Sequence, residues 1–348
     1  MNKEELERLV GRGEVLNRLD FSGLDLRGAS IGGLIAEESK FSGANLAGSN
    51  LREVIVHRSN LRGVNLAGVD ARHASFVECN LEGVSFEDTN LSFANFNKCN
   101  LAGAKFERTK VHNTNLLEGK LEGASFVDVV LDRSALVACD LSGLRFTRSV
   151  LKQTAVLKTD LRKVLLEKAR FETAVLVGSN LAGMSLSGTE LGLTQLMECD
   201  LRGTDLSGAH LVQANFKGAD LSGANLDDVN AKNALFVEVK LVSARARRGD
   251  FHQAVFADAD LSGANFAKAK LGQCNFHRAR CVGALLPAAD LTYADFSNAD
   301  VSKADFSGAT LFRAKFHRTV ETQAIFTDRA LALGDDRELA KAESFVPS

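Results

Sequence analysis

An apolar residue stands at every fifth position from Phe21 to Phe316, sixty times in succession, with no insertion or deletion. Its weakest members are Ala36, Ala71, Ala231, Ala246 and Cys281, and none is charged. Neither standard element tolerates a step of five. On an α-helix it scatters side chains around the whole circumference. On a straight strand it sends alternate ones into water. The backbone must therefore turn a corner between consecutive apolar residues, returning each to a common interior. A repeat of this kind is itself the fold.

A second inward position lies two residues before each apolar centre. None of its sixty residues, from Leu19 to Ala314, is charged, and forty-seven are Ala, Ser, Thr, Cys or Gly. One large and one small residue per segment implies a narrow interior. Hydroxyls buried there, such as those of Thr154, Thr159, Thr189 and Thr194, are expected to bond to backbone. A period of twenty overlies the period of five. Glycine recurs at 23, 43, 63 and onward in twelve of fifteen coils, which suits a turn requiring φ > 0. Phenylalanine recurs at the same spacing from Phe86 to Phe146 and from Phe216 to Phe316. Four five-residue sides per coil follow. At about 4.8 Å per coil, about fifteen coils would make a rod about 70 Å long.

Segments such as Ala214-Asn215-Phe216-Lys217-Gly218 and Ala219-Asp220-Leu221-Ser222-Gly223 resemble the A(D/N)LXX consensus of the pentapeptide-repeat family. The resemblance extends over residues 20–318. It implies an all-β fold, a right-handed quadrilateral parallel β-helix with short helical caps. The handedness comes from the resemblance and not from the periodicity. That family is united by fold rather than by activity, so the resemblance carries no chemistry.

Open solenoid ends expose strand edges that need covering. Residues 1–19 are expected to form an N-terminal cap, with Leu6, Leu9 and Val10 as its apolar face. Residues 319–348 are expected to form a C-terminal cap and tail, in which Asp335-Asp336 caps a short helix carrying Leu339 and Ala340. The formal charge of −2 argues against a general nucleic-acid binder and a strongly acidic mimic alike. No apolar run reaches the length of a transmembrane helix, so no membrane partner is expected. Met1-Asn2-Lys3-Glu4-Glu5 opens without an apolar signal core, which points to the cytoplasm, in a bacterial setting.

Residues that could carry chemistry are present but badly arranged for it. All six cysteines fall on inward positions, without a Cys-x-x-Cys pair, and are expected to be reduced and structural. All seven histidines fall on outward positions, with no spacing suited to a metal. Asp and Asn before the centres, among them Asp200, Asp220, Asp260, Asn60 and Asn80, recur too regularly to be one active site. No insertion supplies a loop for a pocket. No catalytic, cofactor-binding or metal-binding residue is assigned, and an enzyme is not expected.

The outward columns are more informative. Glu38, Arg58, Glu78, Lys98 and Glu118 alternate in sign, an exposed ladder of small energetic weight. A basic girdle between Arg145 and Arg170 is spread over all four sides. Arg245, Arg247 and Arg248 share one side beside Lys268 and are a candidate anion or partner contact. The sharpest departure is apolar. On one side the residues after the centres include Leu117, Val137, Leu157, Val177, Met197 and Val237, and those before include Val175, Leu235 and Val255, with Lys217 interrupting. A stripe of that kind exposes on the order of several hundred Å², enough to call for a partner. The rival explanation is that Val simply suits a strand. A tail folded back over the stripe is a further way to cover it.

The sequence therefore reads as a non-catalytic scaffold for protein–protein interaction, forming a two-fold homodimer or docking another protein through this side. Two alternatives stand beside it. One is an adaptor of a bacterial secretion apparatus, which no residue specifies. The other is a DNA-mimicking topoisomerase protector of the kind known in the family, disfavoured by the mixed surface charge.

Overall fold

The computed structural model describes residues 2–343. The chain divides into two compact units, Met1–Ser179 and Asn180–Ser348. Each is a parallel β-solenoid with four five-residue sides per coil. In the first unit the strands stack into one eight-stranded and two four-stranded sheets. Partners lie twenty residues apart, as in Val15↔Ile35 and Ile35↔Ile55. In the second unit most sides are single parallel bridges at the same spacing, such as Asp200↔Asp220. Pairing there extends to Ile325–Phe326 against Asp305–Phe306. The ladder thus starts before residue 20 and ends after residue 318.

Each side accounts for its own backbone. The Phe21 N–H donates to the Lys40 carbonyl at 2.7 Å, and the Lys40 N–H donates back to the Leu19 carbonyl at 2.8 Å. The Gly23 N–H reaches the Ser42 carbonyl at 2.9 Å. One N–H remains, on the residue after each centre, and the side chain before the centre meets it. Asp20 Oδ1 accepts from the Ser22 N–H at 2.9 Å, Asn45 from Ala47 at 3.2 Å, and Asp220 from Ser222 at 3.0 Å. The Asp or Asn of the repeat is thus a local backbone acceptor, because a buried or crowded N–H left unpaired is costly. Ile35, Ile55, Val130 and Val150 offer no such acceptor, and their sides are three-residue strands, although Asn95 and Asn115 open strands as well.

The corner conformation is more general than the glycine column suggests. Gly23 has φ +67, but Asp88, Phe93 and Lys98 have φ of +54, +64 and +55 at other corners. All four corners use the left-handed region, at a cost on the order of 1 kcal/mol for each side chain placed there.

The centres stack in columns. Consecutive rings of Phe216, Phe236, Phe256, Phe276, Phe296 and Phe316 lie 4.5–5.2 Å apart and nearly parallel. Beside them, hydroxyls donate to the carbonyl twenty-three residues back. Thr154 reaches Leu131 at 2.7 Å and Thr109 reaches Phe86 at 2.8 Å. The thiols of Cys79, Cys99, Cys139 and Cys274 do the same toward Val56, Phe76, Leu116 and Phe251, at 2.9–3.3 Å. Cysteine here replaces Ser or Thr as a donor, a more active role than apolar filling. Thr159 and Thr189 bond within their own turns, at 2.8 and 2.7 Å. Thr194 departs from expectation: its hydroxyl has no partner among the described residues.

Packing decides residue identity even at the small position. A Cβ on Gly249 would lie 2.5 Å from Phe251 Cε2 and 3.1 Å from Val229 Cγ2. Gly249→Ala is therefore expected to cost about 1–3 kcal/mol through overpacking, although Ala269 and Ala289 fill the same position in the next two coils. A denaturation midpoint equal to that of the wild type would show that the ring moves aside freely.

Both ends are closed by local structure. Helix α1 (Lys3–Gly11) is capped by the Asn2 side chain, buries Leu6, and holds the Ser30 N–H through Glu7 at 2.8 Å. Leu9 and Val10 are only half-buried. Helix α2 (Arg337–Glu343) is capped by Asp336 Oδ1, which accepts from the Glu338 and Leu339 N–H groups at 3.0 Å each. Asp335 instead takes the Arg318 N–H at 2.7 Å. The segment before α2 crosses His317 and corrects its expected outward exposure. That side chain is only 4% exposed. Its Nδ1 accepts from the Asp336 N–H at 3.1 Å, and its Nε2 lies 3.3 Å from Glu343. Within the second unit the tail therefore covers Ser297 and His317, and leaves Leu235 exposed.

Candidate interaction surface

In the first unit the strands Asn115–Leu117, Ala135–Val137 and Ala155–Leu157 are adjacent members of the eight-stranded sheet. Their register aligns Leu117, Val137 and Leu157 as direct neighbours. Val175 continues the face through its bridge to Ala155, and the Val177 carbonyl accepts from the Lys158 N–H at 3.2 Å. All five apolar side chains are half-buried, with Glu118, Ala138 and Lys158 exposed beside them. The same side carries a second apolar block that the sequence reading missed. Val15, Ile35 and Ile55 stand in successive paired strands with 55%, 39% and 40% exposure. Their only signal was a β-branched residue where the repeat calls for Asp or Asn.

Strand propensity alone does not require Leu117, Val137 and Leu157. The five preceding strands of the same sheet end in Asn17, Glu37, His57, Val77 and Asn97, so one of the five is aliphatic there. The backbone accepts polar residues at that position, and an unbroken aliphatic run starts only at Leu117.

Four of the candidate residues belong to the second unit. Met197, Val237 and Val255 are half-buried there, and Leu235 is exposed and bridged to Val255. Lys217 is exposed beside them and pairs with Glu238 at 3.7 Å.

The basic cluster is partly spent. Arg247 and Arg248 grip Asp227 and Asp228, each at 2.5 Å. Burial opposes ionisation of Asp227, but hydrogen bonds from the Arg247 side chain and backbone prevail and hold its carboxyl below the ordinary range. Arg245 and Lys268 remain exposed. The girdle behaves alike, with Arg148 on Asp128 and Arg162 on Asp160, both at 2.6 Å.

Two other surface features are self-contained. Phe93, 47% exposed, stacks on His73 at 4.8 Å and meets the His112 ring edge-on at 5.6 Å. A cleft of about 470 Å³ beneath the tail is lined by Asp295, Ser297, Lys315 and His317 and residues 332–336. Lys315 faces Asp295 at 3.7 Å within it, and Asp335 and Asp336 are held by Arg318 and α2. Among the described residues, no group of three His, Cys, Asp or Glu could hold a metal ion. No helix among them is long and apolar enough to cross a membrane.

Comparison with known proteins agrees with this architecture. The profile of the pentapeptide repeat region matches residues 34–116 and 249–325. The profile of eight pentapeptide repeats matches residues 158–192 and 194–236. No curated protein matches the sequence significantly. Among solved structures, HetL, a pentapeptide repeat protein involved in heterocyst differentiation regulation in the cyanobacterium Nostoc sp., is 23% identical, covering 90% of this chain and 96% of its own, with a TM-score of 0.28. QnrB1, a plasmid-mediated fluoroquinolone resistance protein, is 20% identical over 63% of this chain and 96% of its own, with a TM-score of 0.35. A pentapeptide repeat protein of the Arabidopsis thaliana thylakoid lumen is 26% identical over 38% of this chain and 69% of its own, with a TM-score of 0.16. A chain whose five-residue repeat these two profiles together recognise across more than half its length belongs to the pentapeptide-repeat proteins.

Proposed function

We propose that this protein works by binding another protein, without catalysis, and that the apolar strip of the first unit is its binding surface. One observation carries the reading: three adjacent strands present Leu117, Val137 and Leu157 as an unbroken aliphatic run, where four of the five preceding strands of the same sheet end in Asn17, Glu37, His57 and Asn97. An aliphatic strip on a sheet face lacks the convergent polar groups that orient a small molecule. It is better suited to another protein surface. The acidic residues argue against mimicry of DNA, because Asp88, Asp128, Asp228 and Asp258 are each closed by an arginine. Exposed Arg245 and Lys268 are left as a minor polar contact.

The test is Leu157→Lys combined with Val177→Lys. Both side chains point away from the core, so the fold should persist. Each buried aliphatic contributes roughly 1.5–3 kcal/mol to a contact, so affinity for whatever the wild type binds should fall at least about a hundredfold. Calorimetric titration of the captured protein, or sedimentation if the partner is another copy, reads the change. A wild-type chain that stays monomeric, captures no protein, and behaves like the variant would remove the reading's support.

A further inference from the structure

We infer that the occupant of this strip is a second copy of the chain, docked antiparallel about a two-fold axis that passes beside Val137 and Ala138; the inference rests on the binding reading above. The argument comes from the charged column at the corner next to the strip. There the signs alternate through Glu38, Arg58, Glu78, Lys98 and Glu118, and then the pattern slips. Ala138 replaces the next charge, and Lys158 stands where continued alternation would place an acid. Glu118 and Lys158 therefore lie at equal distances on either side of an uncharged residue, about 10 Å apart at the spacing of parallel strands. Glu118 is exposed, and its one ion-pair partner among the described residues, Lys98, is distant at 3.9 Å.

Consider two copies face to face with the axis lying along the strands. Each column then meets itself in reverse order. With the axis at Val137, Leu117 meets Leu157 of the other copy, and Val137 and Ala138 meet their own equivalents. Glu118 meets Lys158, twice. Shifting the axis to the coil of Glu118 sets two glutamates against each other. Shifting it midway between the coils of Leu117 and Val137 sets Lys98 against Lys158. A parallel two-fold over the column of centres instead turns the strip onto the column containing Asn115 and buries its amide against Leu117. Within the first unit the Ala138-centred arrangement is the one that joins Leu117 to Leu157 and acid to base together, with Val177 falling on Asn97. An axis midway between the coils of Val137 and Leu157 also joins the aliphatic residues, but sets Glu118 against Gly178 and Lys158 against Ala138 and so pairs no charges. The strip from Leu117 to Val177 is narrow, on the order of 400 Å² per copy, about half of a standard interface. The dimer is therefore expected to be weak and concentration-dependent, with opposite charges setting its register.

The experiment uses the full chain and sedimentation equilibrium over a range of concentrations. Glu118→Lys and Lys158→Glu should each weaken dimerisation at least about tenfold, since each sets like charges together at both contacts. An equimolar mixture of the two single variants should recover association to within about threefold of wild type, because every contact between unlike chains is again opposite in charge. Circular dichroism and protection of the six buried cysteines confirm that each variant is folded. The inference is overturned if the wild type is monomeric throughout, or if the mixture associates no better than its components. Should that happen while Leu157→Lys with Val177→Lys still abolishes capture of a different protein, the binding surface stands and only its occupant is wrong. If that double variant too changes nothing, both readings fall together.

Discussion

A chain carrying Phe256→Asp is expected to lose the structure of its neighbouring coils. Phe256 has no exposed surface and touches four rings. It stacks on Phe236 and Phe276 at 4.9 and 5.0 Å, and meets Phe251 and Phe266 at 5.8 and 5.9 Å. Two costs combine. Removal of the ring leaves a cavity worth about 3–5 kcal/mol. A carboxylate in that cavity has no cation to pair with, and an unpaired buried charge costs several kcal/mol more even after relaxation. The sum is comparable to the whole stability of an ordinary domain, about 5–15 kcal/mol. Because each coil is supported only by its neighbours, the damage should spread along the solenoid before it stops. Phe256→Leu, which keeps an apolar side chain, should cost far less and retain the circular dichroism of the wild type. A soluble Asp variant with an unchanged melting temperature would refute the inward assignment of this column.

Thiol chemistry gives the second large effect. All six cysteines are buried thiols, the most accessible being Cys139 at 6% exposure. A disulfide-exchange reagent must meet a thiolate. Burial pushes the Cys139, Cys274 and Cys281 thiols above their ordinary range, which suppresses that species even where the reagent can enter. Labelling must then wait for coils to open, at a free-energy cost that slows it by about a thousandfold or more relative to unfolded chain. Native protein should therefore stay unmodified on a timescale that labels all six in denaturant. Rapid modification of Cys79 or Cys139 in the folded chain would show that the inward register fails there.

Particular residues show where the amino-acid sequence was enough and where it was not. Phe21, Phe256 and Phe316 could be placed inside without any structure, because an unbroken step of five leaves one consistent interior. Asp20, Asn45 and Asp220 could be placed outside, but their work as acceptors for Ser22, Ala47 and Ser222 could not be read. That work depends on which N–H group the coil leaves unpaired. The thiols of Cys79 and Cys274 looked like small apolar residues, and their donation to Val56 and Phe251 appears only when coils twenty-three residues apart in sequence are stacked. The strip from Leu117 to Leu157 was visible as a column. The block of Val15, Ile35 and Ile55 on the same side did not read as part of that surface, because Val15 precedes the unbroken repeat and Ser75, Asn95 and Asn115 separate the block from the strip. Arg247 and Arg248 read as free charge, whereas Asp227 and Asp228 hold them.

The sequence by itself determined the architecture: the number of sides, which residues face inward, and which columns run along the surface. It could do so because periodicity is a property of the chain alone, and a hydrophobic residue every five positions requires a backbone that turns a corner at each step. The tertiary structure decided what those columns are worth. It covered His317 with the segment before Glu338, closed the arginines onto carboxylates one coil away, and showed left-handed corners at Asp88 and Lys98 as well as at glycine. It also showed that Leu117, Val137 and Leu157 occupy positions the strand would accept as polar. These matters turn on neighbours a full coil away and on the course of the chain ends. A repeat of five carries no information about either.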